Sequence, residues 1–373
     1  MVSVKKLRVL SGIQPTGSLH IGNYLGALKQ WIPLQNEHEC FFMIVDLHAI
    51  TANNDHPVEM QGRIYSAALD YLAAGLDPKK ATIFVQSHLP EHCELNWLLS
   101  TVTPFGELQR MTQWKDKANI NKVTNFSILD IKKKAKSLRN TDDQLEYVVQ
   151  GVLDGVNRFQ KEFNEVNTGL LIYPVLMASD ILLYKTNLVP VGEDQQQHVE
   201  LTRIIARKFN TKYGKIFIEP KTQLTQAKRI MSLADPTKKM SKSLGPKNYI
   251  SLSDLPEVIE DKVSKAVTEM GGGNKNEMSP GVQNLLLLLN EFGQPKLVKR
   301  YSEQYKTGKI RYLDLKNDLA EAIIKGLKPF HDRREKLAKD KKAVWKVLND
   351  GAEKARPIAQ KTLREVKERM GLV

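Results

Sequence analysis

Two short strings, far apart in a chain of 373 residues, combine residue types suited to handling phosphate. The first, Pro15-Thr16-Gly17-Ser18-Leu19-His20-Ile21-Gly22-Asn23, follows an apolar strand-like run (Leu7 to Leu10) and opens a helix-like stretch. The second is Lys239-Met240-Ser241-Lys242-Ser243, a loop bracketed by lysines. Gly17 and Gly22 lack a Cβ, so backbone N–H groups can approach an anion closely, and the helix that follows presents its positive end. His20 can donate to a phosphate oxygen, and Lys239 and Lys242 are compact cations that can follow a moving negative charge. Taken alone, the lysine string also fits a solvated basic loop.

Elements able to position these residues follow from the pattern. Arg8–Ser11, Cys40–Val45, Thr82–Gln86 and Leu188–Val191 read as buried strands, alternating with helical periodicity over Ile21–Trp31, Val58–Ala74 and Gln195–Phe209. That alternation predicts an α/β fold, a doubly wound parallel sheet whose ligands bind at the carboxyl ends of its strands. After Met240 the pattern becomes all-helical: Glu257–Val267, Val282–Glu291, Leu297–Gln304, Leu313–Leu327 and Asp332–Leu348, parted by Gly271-Gly272-Gly273, Gly293-Gln294-Pro295 and Gly308. The tail, Ala352–Met370, reads as one more amphipathic helix. Between the two parts, Ala118–Thr168 reads as a projecting helical pair carrying Lys132, Lys133, Lys134, Lys136 and Arg139. A nucleic-acid contact and a solvated insertion both fit it.

Composition bounds the partners. The net charge of +14 favours a polyanion such as nucleic acid, although residues 251–373 hold only half of the excess, with 25 Lys and Arg against 18 Asp and Glu. A basic soluble protein without a nucleic-acid role fits the charge equally. Cys40 and Cys93 are too few for a disulfide framework or a four-cysteine metal site, which suits a reducing cytoplasm. No apolar run reaches membrane-spanning length, strand-like sequence begins too early for a leader peptide, and neither His20 nor His198 has metal-ligand spacing, so no zinc site is expected.

In their order and context the two strings resemble the HIGH and KMSKS elements of class I aminoacyl-tRNA synthetases, which act together on one ATP. Ser11-Gly12-Ile13-Gln14-Pro15, Tyr173-Pro174-Val175-Leu176-Met177-Ala178-Ser179-Asp180, Gly192-Glu193-Asp194-Gln195 and Asp235-Pro236-Thr237-Lys238-Lys239-Met240 extend the resemblance. Together they are similar to the bacterial-type tryptophanyl-tRNA synthetases, essentially end to end apart from a longer 118–168 segment. The resemblance implies a Rossmann-like catalytic domain over 1–245, with 118–168 as its helical insertion. It implies an anticodon-binding-like helical domain over 246–350, and a C-terminal helix in 351–373 that packs back on the first domain. Activation would join tryptophan to ATP as an adenylate, releasing pyrophosphate, before transfer to the terminal ribose of tRNA(Trp). Mg²⁺ would accompany ATP, and the active form would be a cytoplasmic homodimer.

Roles carry over residue by residue. His20, Asn23, Lys239 and Lys242 would be catalytic; Asn23 stands where the family often has a second histidine, and it keeps a donor there. ATP would be held by Gln14, Pro15, Thr16, Gly22, Asn23 and the loop Lys239, Met240, Ser241, Lys242 and Ser243. Its adenosine part would meet Gly192, Glu193 and Asp194, and the backbone of Ile230. Tyr173 and Gln195 would touch the α-amino group of tryptophan, Gln113 its carboxylate, and His48 would border the pocket, unless it is simply a satisfied core histidine. Tyr173, Met177 and Asp180 share one helix face. Indole has a flat apolar body and one N–H donor, so it needs an apolar wall and one acceptor. Met177 and Asp180 can supply these, while a helix carboxylate meeting an unseen cation is the plainer reading of Asp180 alone. Two rivals stand beside this: a tyrosyl-tRNA synthetase, and a catalytically dead paralogue that binds tRNA or another partner.

Overall fold

The computed structural model describes residues 6–51, 57–117, 144, 146–151, 153–154, 167–224, 229–269 and 277–373. Five strands, β1 (Arg8–Ile13), β2 (Glu39–Ile44), β3 (Ala81–Val85), β4 (Leu188–Val191) and β5 (Lys221–Leu224), form one parallel sheet in the order β3-β2-β1-β4-β5. The chain steps outward from β1 to β3, then restarts beside β1 at β4. Connections leaving β1 and β4 therefore diverge, and a crevice opens at their carboxyl ends.

Helices cover both faces. In chain order the part that carries the sheet has α1 (Ile21–Asn23), which runs through a π-helical turn at Tyr24–Leu28 into α2 (Lys29–Glu37), then α3 (Asp46–Ala49), α4 (Pro57–Ala74), α5 (Glu91–Ser100), α6 (Phe105–Gln109), α7 (Thr112–Lys117), α8 (Thr168–Leu183) and α9 (Gln196–Tyr213). Period-2 alternation divides the strands between two cores. Val9, Phe42, Ile44, Ile83 and Val85 pack with Trp31 of α2 and Ala67, Ala68 and Tyr71 of α4. Leu10, Phe41, Met43 and Phe84 pack with Leu95 and Leu99 of α5, Ile181 of α8 and Ile205 of α9. The remaining helices are α10 (Pro256–Ser264), α11 (Pro280–Glu291), α12 (Pro295–Lys306), α13 (Tyr312–Ala338) and α14 (Lys341–Met370). Three of them open on proline, whose missing N–H costs nothing in a first turn. Their buried Ile259, Leu285 and Leu319 continue the first core. Among the described residues no helix is long and apolar enough to cross a membrane.

Three expectations change. β5 is an additional strand, and the helix boundaries near the end differ: α13 runs unbroken through Pro329, while α14 runs through Gly351 and Pro357. Gly351 is no breaker here. Its backbone lies against β3, where a Cβ would overlap the carbonyl oxygen of Ile83. Val344 and Leu348, ahead of this glycine, join the first core; Ala352, Ala355 and Ala359, after it, join the second. Helix α14 thus wraps round the open edge of β3. The opposite edge is the short, largely exposed β5, which begins with Lys221, a charge that discourages further pairing. Gly351→Ala is expected to cost about 3 kcal/mol or more, since two backbones rather than a flexible side chain must part. Chemical denaturation would measure it, with Gly62→Ala on α4 as the control: there the added methyl meets nothing within 4 Å among the described residues, and helix propensity predicts a gain of about 0.5–1 kcal/mol.

Lys132, Lys133, Lys134, Lys136, Arg139 and Gly271 to Gly273 lie outside the described residues. Within the expected insertion, residues 146–151 are helical.

Candidate active site

Residues at the carboxyl ends of four strands converge on the crevice. β1 leads into Gln14, Pro15 and Thr16, β2 into His48 on α3, β3 into Gln86, and β4 into Gly192, Glu193, Asp194 and Gln195. The turn Thr16 N–H to Gln14 O (2.9 Å) and the left-handed Gly17 (φ 106°) deliver the chain to His20. His20 caps α1 reciprocally with Asn23: its Nδ1 accepts from the Asn23 N–H at 3.3 Å, while Asn23 Oδ1 accepts from the His20 N–H at 3.1 Å. With Nδ1 an acceptor, the ring proton sits on Nε2. Burial, helped by the charges of Lys242 and Lys239, pushes His20 down to about 4, so the ring is neutral at pH 7. A Cβ on Gly22 would lie 2.9 Å from the His20 ring, so only glycine leaves that ring its place.

The lysine loop closes on the same turn. Lys242 Nζ donates to Thr16 O at 3.4 Å and sits 3.7 Å from the Cβ position of Gly17. Burial draws Lys242 down to about 8, opposed by the carboxylate of Asp70 and reinforced by Arg63. Met240 is buried: its N–H donates to Ile230 O at 3.0 Å, and its sulfur would lie 3.8 Å from a Cβ on Gly22. Ser241 caps the short turn of Lys242 and Ser243. Lys239, bridged to Met231, is exposed.

On the other side lies a buried polar cluster on Asp180 of α8. Asp180 Oδ2 accepts from His48 Nε2 (2.8 Å), Oδ1 accepts from His92 Nδ1 (2.7 Å), and Gln86 Nε2 donates to both oxygens (2.8 and 2.9 Å). His92 Nε2 pairs in turn with the Tyr184 hydroxyl at 2.9 Å. Burial opposes ionisation of Asp180, but the hydrogen bonds from His48 and His92 outweigh it and hold the carboxyl down to about 2. Tyr173 stands edge-on to His48, 6.4 Å between ring centres, and Met177, one turn before Asp180, is half-buried. The two remaining expected residues sit apart from this cluster. Gln195 donates to Asp194 Oδ2 at 3.1 Å, and Gln113 is half-buried on α7, whose first residue, Thr112, donates to Gln197 Oε1.

The crevice therefore has an anion-binding end and an apolar end with a buried carboxylate. Residues 3–132 and 148–328 match the family model for class I tRNA synthetases (W and Y). This chain belongs to that family. It is 42% identical over 370 residues to the tryptophan–tRNA ligase of Caldanaerobacter subterraneus subsp. tengcongensis, covering 98% of each chain. It is likewise 42% identical over 368 residues to that of Bacillus anthracis, again covering 98% of each. Among solved structures, tryptophanyl-tRNA synthetase from Mycoplasma pneumoniae superposes with a TM-score of 0.77 at 35% identity, over 99% of this chain and 98% of that one. The Campylobacter jejuni enzyme, complexed with ADP and tryptophan, gives 0.74 at 31% identity, over 98% and 100%.

Sequence reasoning missed four residues of this family member's site. Gln86 had been read as a strand end, while His92, Tyr184 and Asp70 carried no local signal. Asp70, fully buried on α4, accepts from the Leu19 N–H at 3.2 Å and from Arg334 Nε of α13 at 2.7 Å. It ties the loop before His20 to the helical part. Burial pushes the Asp70 carboxyl up, against the pull of Arg334.

Proposed function

We propose that this chain activates tryptophan with ATP to tryptophanyl-adenylate and pyrophosphate, then transfers the aminoacyl group to the terminal ribose of tRNA(Trp). The observation that supports this best is Asp180: an ionised carboxylate beside Met177, buried among the side-chain donors of His48, Gln86 and His92, with no lysine or arginine on it among the described residues. Its four acceptor positions are filled, two of them by one Gln86 amide. An indole N–H would take one of those two, leaving Gln86 with the other.

At the anion end, ATP would lie across the β1–β4 crevice, with its phosphates on the Gln14–Asn23 turn and its ribose on Asp194. His20 Nε2–H would donate to a phosphate oxygen as a neutral group. Lys242, and from further away Lys239, would neutralise charge spreading toward pyrophosphate as the tryptophan carboxylate attacks the α-phosphorus. Among the described residues no three His, Cys, Asp or Glu side chains converge on a metal site, so Mg²⁺ would be carried by the nucleotide phosphates.

A pH dependence follows from Lys242. A lysine held at about 8 loses its charge as pH rises through that value, so kcat/KM for ATP should fall above about pH 8. The groups acting on it are Asp70 and Arg63, with His20 neutral nearby. In Lys242→Arg, which stays charged, the alkaline limb should vanish from the pH profile of pyrophosphate exchange even where the rate drops.

A homodimer is consistent with Trp97 (71% exposed) on α5 and Phe105 (60%) on α6, large apolar side chains that a second copy would cover. Pyrophosphate exchange measured with each standard amino acid tests the central reading. Exchange with tryptophan alone is expected; tyrosine-dependent exchange would point to the sister activity, and none at all to a binding paralogue.

A further inference from the structure

Tyr173 and His198 form a buried pair that the activity described so far leaves half explained. The Tyr173 hydroxyl lies 2.8 Å from His198 Nε2, the rings are 5.4 Å apart and tilted by 45°, and His198 is 2% exposed on α9. Among the described residues, buried His198 Nδ1 has no hydrogen-bond partner. Two proton arrangements satisfy the contact: the tyrosine donates and Nε2 accepts, or Nε2–H donates and the tyrosine accepts.

We infer that His198 is a positioning residue for amino-acid recognition: by accepting the phenolic proton at Nε2, it turns the oxygen of Tyr173 into a pure acceptor for the substrate's α-ammonium. This rests on the reading that Tyr173 meets that ammonium. An ammonium can only donate. If His198 donated as well, the tyrosine oxygen would receive two donors and its own proton would compete for the space facing the substrate. With the proton directed to His198, the lone pairs are left for the ligand. The pair needs an uncharged imidazole, because His198⁺ would both donate at Nε2 and repel the ammonium. Burial, with the proximity of His48, draws His198 down to about 4, with Asp194 pulling the other way, so the neutral form prevails at working pH.

Two competitive inhibitors of tryptophan-dependent exchange separate the claim from a general packing role. Tryptamine keeps the ammonium and lacks the carboxylate; indole-3-propionate does the reverse. In His198→Leu the Ki of tryptamine should rise about tenfold, while that of indole-3-propionate stays within about twofold. His198→Gln, which restores an acceptor, should recover most of the tryptamine affinity and guards against a leucine variant that folds poorly. Equal loss for both inhibitors, or no loss for either, would overturn the inference. Tyr173→Phe distinguishes the two levels. If it leaves tryptamine binding unchanged, the placement of the ammonium at Tyr173 fails and takes this inference with it. If it weakens tryptamine while both His198 variants do not, only the role of His198 is overturned.

Discussion

Lys242→Ala should lower the rate constant for adenylate formation by about two to three orders of magnitude, the scale seen when one preorganised charge-stabilising donor is removed. The KM for tryptophan should change little, because Nζ of Lys242 faces the Thr16–Gly17 turn, across the crevice from the Asp180 cluster. Its half-buried position makes the charge count for more than that of exposed Lys239, where the same substitution should cost less. Single-turnover measurement of adenylate, with separate titration of ATP, decides the matter. An unchanged rate constant with weaker ATP binding would make the loop a ground-state clamp instead.

Asp180→Ala should be damaging in two separable ways. It strands three buried donors, on His48, Gln86 and His92, and breaking such a buried cluster costs about 3–5 kcal/mol of stability. It also removes the acceptor for indole, so discrimination against phenylalanine should shrink even at temperatures where the variant is folded. The pH dependence of stability carries a signature. With the folded carboxyl at about 2 and the unfolded one near 3.8, the stabilising contribution is complete above the unfolded value. It is lost as pH falls from roughly 4 through 2. Denaturation curves of the variant across that window should be flatter than those of the parent chain. Unchanged kcat/KM for tryptophan would mean the indole lies elsewhere.

The four strands read from sequence are those buried on both faces, where hydrophobic runs such as Cys40–Val45 leave little ambiguity. β5 escaped because it is a largely exposed edge strand of sequence Lys-Thr-Gln-Leu with no apolar run. Helix ends were expected at Leu327 and Leu348, but tertiary contact decides whether a helix continues, and it does so here through Pro329 and Gly351. The phosphate-binding strings were legible since their chemistry is contiguous in the chain. The Asp180 cluster was only half legible: helix spacing put Tyr173, Met177 and Asp180 on one face, but Gln86 at the end of β3, His92 in the first turn of α5 and His48 on α3 meet it only in the folded chain.

The wrapping of α14 round β3 sets a clock on synthesis. β3 is complete at Val85, yet the helix that shields it ends at Met370, which at roughly 5–20 residues per second leaves about 15–60 s in which the emerging chain presents a bare strand edge. Any product stopped ahead of Gly351 keeps that edge permanently, together with two half-covered cores. Until the last helix leaves the ribosome that edge is open to pairing with another chain. Incomplete ones advertise their own defect to proteases.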